Sequence, residues 1–418
     1  MESSNLYQRI LGLEAPWRVV GVDLDLKRNE VRVRVEHDGV SPRLCPDCGK
    51  TCPGYDNTQR RLRHLDTCQM QTILTADVPR VQCPEHGVRM VHVPWAEPGS
   101  RFTALFEALV IHWLKAASIK EVSERLGLGW SQADGIMSRA VQRGLARRGP
   151  VTARRVGVDE TSFQKRHEYV TVVTDLDTSG VLHVGDDRKT ETLEAWYRTL
   201  TAAQLKRLRV VAMDMWQPYI TATQRHVPGA DERIVFDKYH VAAHLGNALD
   251  QVRRKEQREL REVGDQRLTK TRHLWLSNPG TLNRRLETEE AERFDALRSS
   301  SLRTARAYAL KEAAMEIWDD RTRKAAEASW KWWHGWAIRS RLEPMKRAAR
   351  MIKSHLRGII NAIVTGATNA VAESMNSKIQ RVKRMACGYR NRDRFRNAIY
   401  FHLGGLALHP SSLTHSKP

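Results

Sequence analysis

Three carboxylates, distant from one another in the chain, could do chemistry together. Asp159 closes the apolar run VGVD, Asp214 closes RVVAMD, and Glu373 lies in TNAVAESMNSKIQ, a stretch of helical pattern. An Asp on one strand, an Asp on a second and a Glu on a helix can hold divalent ions beside a phosphodiester. In-line attack on that bond by water or a 3′-hydroxyl is served by two such ions about 4 Å apart. Magnesium prefers hard carboxylate oxygens and keeps several waters, so three carboxylates suffice, and manganese is an alternative. Asp159 would bridge both ions, with Asp214 and Glu373 each completing one side. Taken singly, each acid reads as an ordinary strand-end or helix-surface carboxylate. Asp237, ahead of KYHVAAHLG, competes with Asp214. It suits a helix N-cap, and with His240 it could instead orient DNA or a catalytic water.

Strands must carry these acids. VGVDETSF is short and apolar, as a buried central strand would be. HEYVTVVTDLDTSGVLHVGDD reads as a hairpin turning at Asp177-Thr178-Ser179-Gly180. Residues 190–207 form an amphipathic helix, RLRVVAMD returns to strand, residues 217–227 suit a short helix, and ERIVFD is a fifth strand. Three antiparallel strands, a helix, then a strand parallel to the first is the order of the ribonuclease-H-like fold. There the first and fourth strands are neighbours, which would set Asp159 beside Asp214. Residues 240–368 are helical and charged, with Trp318, Trp330, Trp332, Trp333 and Trp336 crowded together. Such crowding is more often core than a stacking platform. This stretch therefore reads as an all-helical insertion whose one face touches DNA. Beyond it, Asn369, Glu373, Asn376 and Gln380 share a helix face. Lys378, Arg381, Lys383 and Arg384 make the adjoining surface basic, Gly388 ends the helix, and Arg390 follows in the turn.

The N-terminal part offers a second chemistry. Cys45 and Cys48 in CPDCGK, with Cys83 and His86 in CPEHG, make two knuckles that can close a tetrahedral zinc site. Cys52, His64 and Cys68 lie between them as rival ligands. Ahead of the knuckles, WRVVGVDLDLKRNEVRVRVE alternates as a hairpin. SIKEVSERLGLGWSQADGIMSRAVQRG has the pattern of a helix-turn-helix, turning at Gly127 and capped by Ser131. Val122, Leu126, Ile136 and Ala140 would face inward, leaving Gln132, Ser138 and Arg139 free to approach a major groove. A plain helical hairpin would look the same.

Composition limits the partners. The chain has 418 residues, 41% of them hydrophobic, and a net charge of +21, with a pI of about 10.0. It can bury a core, and its charge excess points to a polyanion, of which nucleic acid is the commonest. The six cysteines are too few for a disulfide framework. No signal peptide is visible in MESSNLYQRI. FTALFEALVIHWLKAAS, interrupted by Glu107, His112 and Lys115, is too short to span a membrane. A cytoplasmic, DNA-associated protein is expected.

These motifs together resemble bacterial insertion-sequence transposases of the DDE class, specifically the ISL-three family. The resemblance runs through CPDCGK and CPEHG, the helix-turn-helix, GVDETSF, VVAMDMWQPY, IVFDKYHV and NAVAESMNSKIQRVKRMACGYRN. The last is the most specific. His86 departs from the pattern, standing where the family often has Cys, an exchange zinc tolerates. The resemblance implies a zinc-binding β unit (1–100), a helix-turn-helix (101–150), and a ribonuclease-H-like core (151–240 and 369–408) interrupted by a helical insertion (241–368). It implies a magnesium enzyme whose metal ligands are Asp159, Asp214 and Glu373, with Asp237, His240 and Asn376 supporting them and structural zinc at the knuckles. It also implies double-stranded DNA partners, the element's terminal inverted repeats and a target, and an oligomer that holds two ends. The DNA contacts would come from Gln132, Ser138, Arg139, Lys378, Arg381, Lys383, Arg384 and Arg390. A DNA-binding regulator with an inactive core and a nuclease without strand transfer are the alternatives.

Overall fold

The computed structural model describes residues 3–164, 168–277, 288–368 and 370–411. Among them the chain parts into two compact units. One comprises Met1–Gly149 and Val382–Pro418, the other Pro150–Arg381.

The first unit is built on a five-stranded sheet. Its strands are β1 (Trp17–Asp25), β2 (Glu30–His37), β3 (Gly54–Thr67), β4 (Met70–Cys83) and β5 (Gly87–Met90). Their order is β1-β2-β4-β3, with β5 also paired to β4. A short helix, α1 (Ser3–Ile10), packs on β1. The alternation that marks β1 and β2 as a hairpin has its physical counterpart in the core, where Val33, Val35, Leu74, Ala76 and Val81 are fully buried with Trp17 and Trp95.

Three helices follow: α2 (Ala104–Leu114), α3 (Ile119–Leu126) and α4 (Trp130–Ala146). Ser118 and Glu121 close a reciprocal capping box on α3, and Gly127 ends that helix at φ +61°, a conformation that costs a residue without a Cβ little. Val122, Ile136 and Ala140 are buried as expected. Ser131, however, lies inside α4. The cap is Gly129, whose N–H is taken by the Gln132 side chain at 2.8 Å.

The second unit carries a mixed sheet of order β10-β9-β6-β7-β8. Its strands are β6 (Arg155–Gln164), β7 (Glu168–Asp175), β8 (Val181–Asp186), β9 (Val210–Met213) and β10 (Ile234–Phe236). β6, β7 and β8 are antiparallel neighbours, while β9 runs parallel to both β6 and β10. This is the ribonuclease-H-like order. β6 does not stop at Asp159. It continues to Gln164 because Thr161 and Ser162 still pair with β7. The helical stretch 190–207 is broken into α5 (Thr190–Arg198) and α6 (Ala202–Arg207), where Thr201 caps a new helix. Next come α7 (Gln217–His226), α8 (Ala230–Arg233) and α9 (Lys238–Glu262).

Beyond α9 lie the helices Arg272–Leu276, Thr288–Arg298, Arg303–Glu316, Arg323–Arg339, Glu343–Ser354 and Leu356–Thr365. Trp275, Trp330 and Trp333 are buried in a core continuous with that of the sheet, Trp318 and Trp336 pack on it, and Trp332 is 64% exposed. Gly358 lets the last of these helices approach β10 closely, since a Cβ there would lie 2.5 Å from the Phe236 ring. Asn361 then donates to the carbonyls of Asp231 and Ile234, at 2.8 and 2.9 Å. The helix Ala370–Met385 carries Glu373 and crosses the division between the units, and the helix Arg392–Leu403 follows. After Met385 the Gly388 N–H returns to the Lys383 carbonyl at 2.9 Å. Asn369 lies outside the described residues.

Candidate functional site

The parallel ladders end in one row, Val158 opposite Met213 and Met213 opposite Phe236. The residue after each of these is an aspartate, so Asp159, Asp214 and Asp237 stand side by side just past the end of the parallel ladders, Asp159 within β6 and the other two at the carboxyl ends of β9 and β10. In open α/β sheets that edge is where ligands bind. Asn376 donates to Asp159 Oδ2 at 2.7 Å and to the Glu160 carbonyl at 3.2 Å, and one turn on Gln380 donates to Thr161 Oγ1 at 2.9 Å. These bonds lay the Glu373 helix along β6. The Asp159 Oδ1 accepts from the Glu160 N–H at 2.8 Å, and the Asp214 Oδ1 from the Met215 N–H at 2.7 Å. Asp237 caps α9 by accepting from the Tyr239 N–H at 2.7 Å, which sets His240 on the first turn with Nδ1 3.4 Å from Asp214 Oδ1.

The electrostatics are those of crowded anions. Burial pushes the Asp159 carboxyl up to about 7, helped by the charges of Glu160 and Asp214 and opposed by the Glu160 N–H and His240. Glu160 is raised by burial and by Asp214, against the pull of Arg188. Glu373 is raised by burial and by Asp237, against His240. Around the acidic row, Glu160 Oε2, His240 Nε2 and Glu373 Oε1 are among the buried atoms of the described residues that lack a hydrogen-bond partner. Buried polar atoms are rarely left so, and a carboxylate group that needs a cation is a physical reason. Hard oxygen donors and raised carboxyl pKa values fit divalent magnesium. Asp159, Asp214 and Glu373 are not drawn into a single tight cage. Among the described residues the one group of three or more such donors whose ligand atoms all lie within 4.8 Å of one another is in the other unit.

That group is Cys45, Cys48, Cys83 and His86. The Cys48 and Cys83 sulfurs are 3.7 Å apart, and His86 Nδ1 lies 3.5 Å from Cys83 Sγ and 3.8 Å from Cys45 Sγ. A tetrahedron with Zn–S bonds of about 2.3 Å has edges of about 3.8 Å, so the donor set fits structural zinc. Each knuckle turns on a glycine at positive φ, Gly49 at +71° and Gly87 at +70°. Burial pushes the Cys83 thiol up, but the backbone N–H groups of Glu85 and His86 and the neighbouring thiols outweigh it, holding it at about 7. The rivals are disposed otherwise. Cys52 donates to the Lys50 carbonyl at 3.4 Å, His64 bonds Thr103 at 2.9 Å, and Cys68 is exposed.

The side chains expected to meet DNA fall into two sets. Lys378, Arg381, Arg384 and Arg390 are exposed, and Lys383 is half-buried. Gln132 is exposed, Ser138 and Arg139 are half-buried, and all three have partners within the protein. Gln132 caps its own helix, Ser138 accepts from Asn397 at 3.1 Å, and Arg139 pairs with the buried Glu107 at 2.6 Å.

Two features beside the acids went unread in the sequence: Glu160 itself, and a stack of Tyr169, Arg188 and Trp216. Glu160 follows Asp159 directly, and alternation would place it on the opposite face. The signal for the stack was an exposed-type Trp two residues beyond Asp214.

Comparison with known proteins covers both units. A family model described as a transposase, of the ISL3 group, matches residues 156–399. The helix-turn-helix domain of transposase family ISL3 matches residues 91–141, and the zinc finger of transposases IS204, IS1001, IS1096 and IS1165 matches residues 41–86. The transposase for insertion sequence element IS1001 of Bordetella parapertussis is 27% identical over 357 residues, covering 84% of this chain and 86% of that protein. The transposase for insertion sequence element IS1557 of Mycobacterium tuberculosis is 26% identical over 425 residues, covering 94% and 93%. No helix among the described residues is long and apolar enough to cross a membrane.

Proposed function

The chain belongs to the ISL3 family of transposases, and from that premise we propose that it binds its element's terminal inverted repeats, cuts at the 3′ ends and joins them to target DNA. The observation that carries this reading is the row of Asp159, Asp214 and Asp237 with the unpartnered Glu373 Oε1 and His240 Nε2 beside it. Asp159, Asp214 and Glu373 would hold two magnesium ions, which when bound activate the attacking oxygen and neutralise the leaving one. The protein's own part is positioning. Asn376 fixes Asp159, the Met215 N–H and His240 fix Asp214, and Asp237 anchors the helix end that presents His240. The helix-turn-helix and the basic surface around Lys378, Arg381, Lys383, Arg384 and Arg390 would grip DNA phosphates. Two element ends must be held together, so the working form is an oligomer, acting in the bacterial cytoplasm where its DNA lies.

The test is purified protein with a donor duplex carrying the cognate end, a supercoiled target and magnesium. Joined products are expected, and Asp159→Asn should abolish both cutting and joining. Cleavage without joining would make the protein a nuclease, and binding without cleavage a regulator. An Asp159→Asn protein that still cut would sink the metal assignment.

A further inference from the structure

Beside the acidic row lies a cavity of about 410 Å³ whose lining includes Tyr169, Arg188, Lys189 and Trp216 together with the acids Asp187 and Glu191. Its organising feature is a three-layer stack. The Arg188 guanidinium sits 4.6 Å from the Tyr169 ring centroid and 4.6 Å from that of Trp216. The stack is held in place at both ends. Trp216 Nε1 donates to the Arg188 carbonyl at 2.9 Å, and the guanidinium reaches Glu160 Oε1 at 3.5 Å. Glu160 adjoins Asp159, and Trp216 lies two residues past Asp214, so the cavity opens next to the candidate metal ligands. Trp216 nevertheless keeps 37% of its surface exposed.

An indole this exposed, yet fixed by a hydrogen bond and a cation–π contact, is a poor core residue and a good stacking face. Each layer of the stack is planar, and a purine or pyrimidine is the planar group that DNA brings to this edge. Lys189, on the cavity wall, has a 70% exposed side chain and pairs with Asp187 at 3.2 Å. We propose that this cavity receives one nucleobase, unstacked from the duplex beside the scissile phosphate, with Trp216 as its stacking face. Extruding the base would fix the strand's register over Asp159 and Asp214. The inference rests on the reading that DNA is cut at this edge.

The test uses full-length protein and a series of donor duplexes with an abasic site or a mismatch at each nucleotide flanking the cut. Unstacking costs least at a mismatched or missing base. Trp216→Ala should cut the intact duplex roughly 5- to 160-fold more slowly, the range of one base–aromatic stack. An abasic site at one position should bring it back to within about 3-fold of the wild-type protein, and Trp216→Phe should behave nearly as wild type. In parallel, binding is measured without divalent ions. Wild-type protein should prefer the duplex mismatched at that position, and Trp216→Ala should not. Equal slowing on intact and abasic duplexes at every position would overturn the proposal. Cutting with no Trp216-dependent binding preference would reject the base site and leave the catalytic reading standing. The preference without any cutting would do the reverse.

Discussion

Asp159 keeps its proton up to about pH 7, and that has a sign that can be measured. An unfolded chain releases the same proton near pH 4, so between about pH 4 and 7 the folded, metal-free protein binds more protons than the unfolded one. The stability owed to this group therefore falls as pH rises through that window and is level above it. Asp159→Asn has no such proton to lose. The melting temperature of the metal-free wild type should accordingly drop relative to Asp159→Asn between pH 5 and pH 8, and saturating magnesium should remove the difference. Magnesium affinity should rise with pH up to about 7, with proton release below it. A pH-independent difference would mean that the buried carboxyl is already ionised. At this scale the sequence was legible where an apolar run ended on an acid, as at Asp214 and Asp237. It was not legible for Glu160, whose raised pKa comes from burial and from Asp214 on another strand. Nor was it legible for Arg188, which is defined by two rings distant in sequence.

At the scale of elements, the helix-turn-helix is held by a charge rather than only by its apolar face. Glu107 on α2 is fully buried and receives Arg139 at 2.6 Å, Arg143 at 3.0 Å and the Ser100 hydroxyl at 2.8 Å. Glu107→Ala would leave the buried Arg143 guanidinium with Glu97, 3.4 Å away, as its remaining carboxylate. Removing one partner of a buried pair costs about 3–5 kcal/mol. The exposed Lys120–Glu124 pair, 3.9 Å apart, should be worth under about 1 kcal/mol. Denaturant unfolding of Glu107→Ala and Lys120→Ala should show that contrast, and equal effects would mean that α2 and α4 are held by packing alone. Periodicity located α3 and α4 and their inward faces because buried Val122 and Ile136 follow a local rule. It did not foresee the pairing of Arg139 with Glu107, because a basic residue at a plausible groove position looks the same whether or not a buried acid on α2 binds it. Strand order was legible for a similar reason: a helix between RLRVVAMD and the hairpin forces a parallel crossover. The true end of β6 was not, since it depends on pairing with β7.

For the whole molecule, the excess of 69 Lys and Arg over 48 Asp and Glu predicts affinity for DNA that weakens steeply with salt. Replacing Lys378, Arg381, Arg384 and Arg390 by Ala should shallow the log–log salt slope by about 0.9 per lost phosphate contact, up to about 3.6 in all. An unchanged slope would place the phosphate contacts elsewhere. The zinc knuckles raise a different question, whether the metal holds the first unit's fold or only its loops. Small zinc domains unfold without metal because they have no other core. Here β2 and β4 already bury Val33, Val35, Leu74, Ala76, Val78 and Val81 almost completely, so the sheet has a hydrophobic core of its own. Chelation should therefore loosen the knuckles and spare the sheet. In hydrogen exchange, the Cys45, Gly49 and Cys52 amides, bonded to Lys50, Cys45 and Arg43 carbonyls, should lose protection. The Val33 and Leu74 amides in β2 and β4 should keep theirs, as should Val158 and Val211 in the second unit. Loss of protection throughout β2 and β4 would show instead that zinc is the folding centre of the first unit and that its apolar core is insufficient without it.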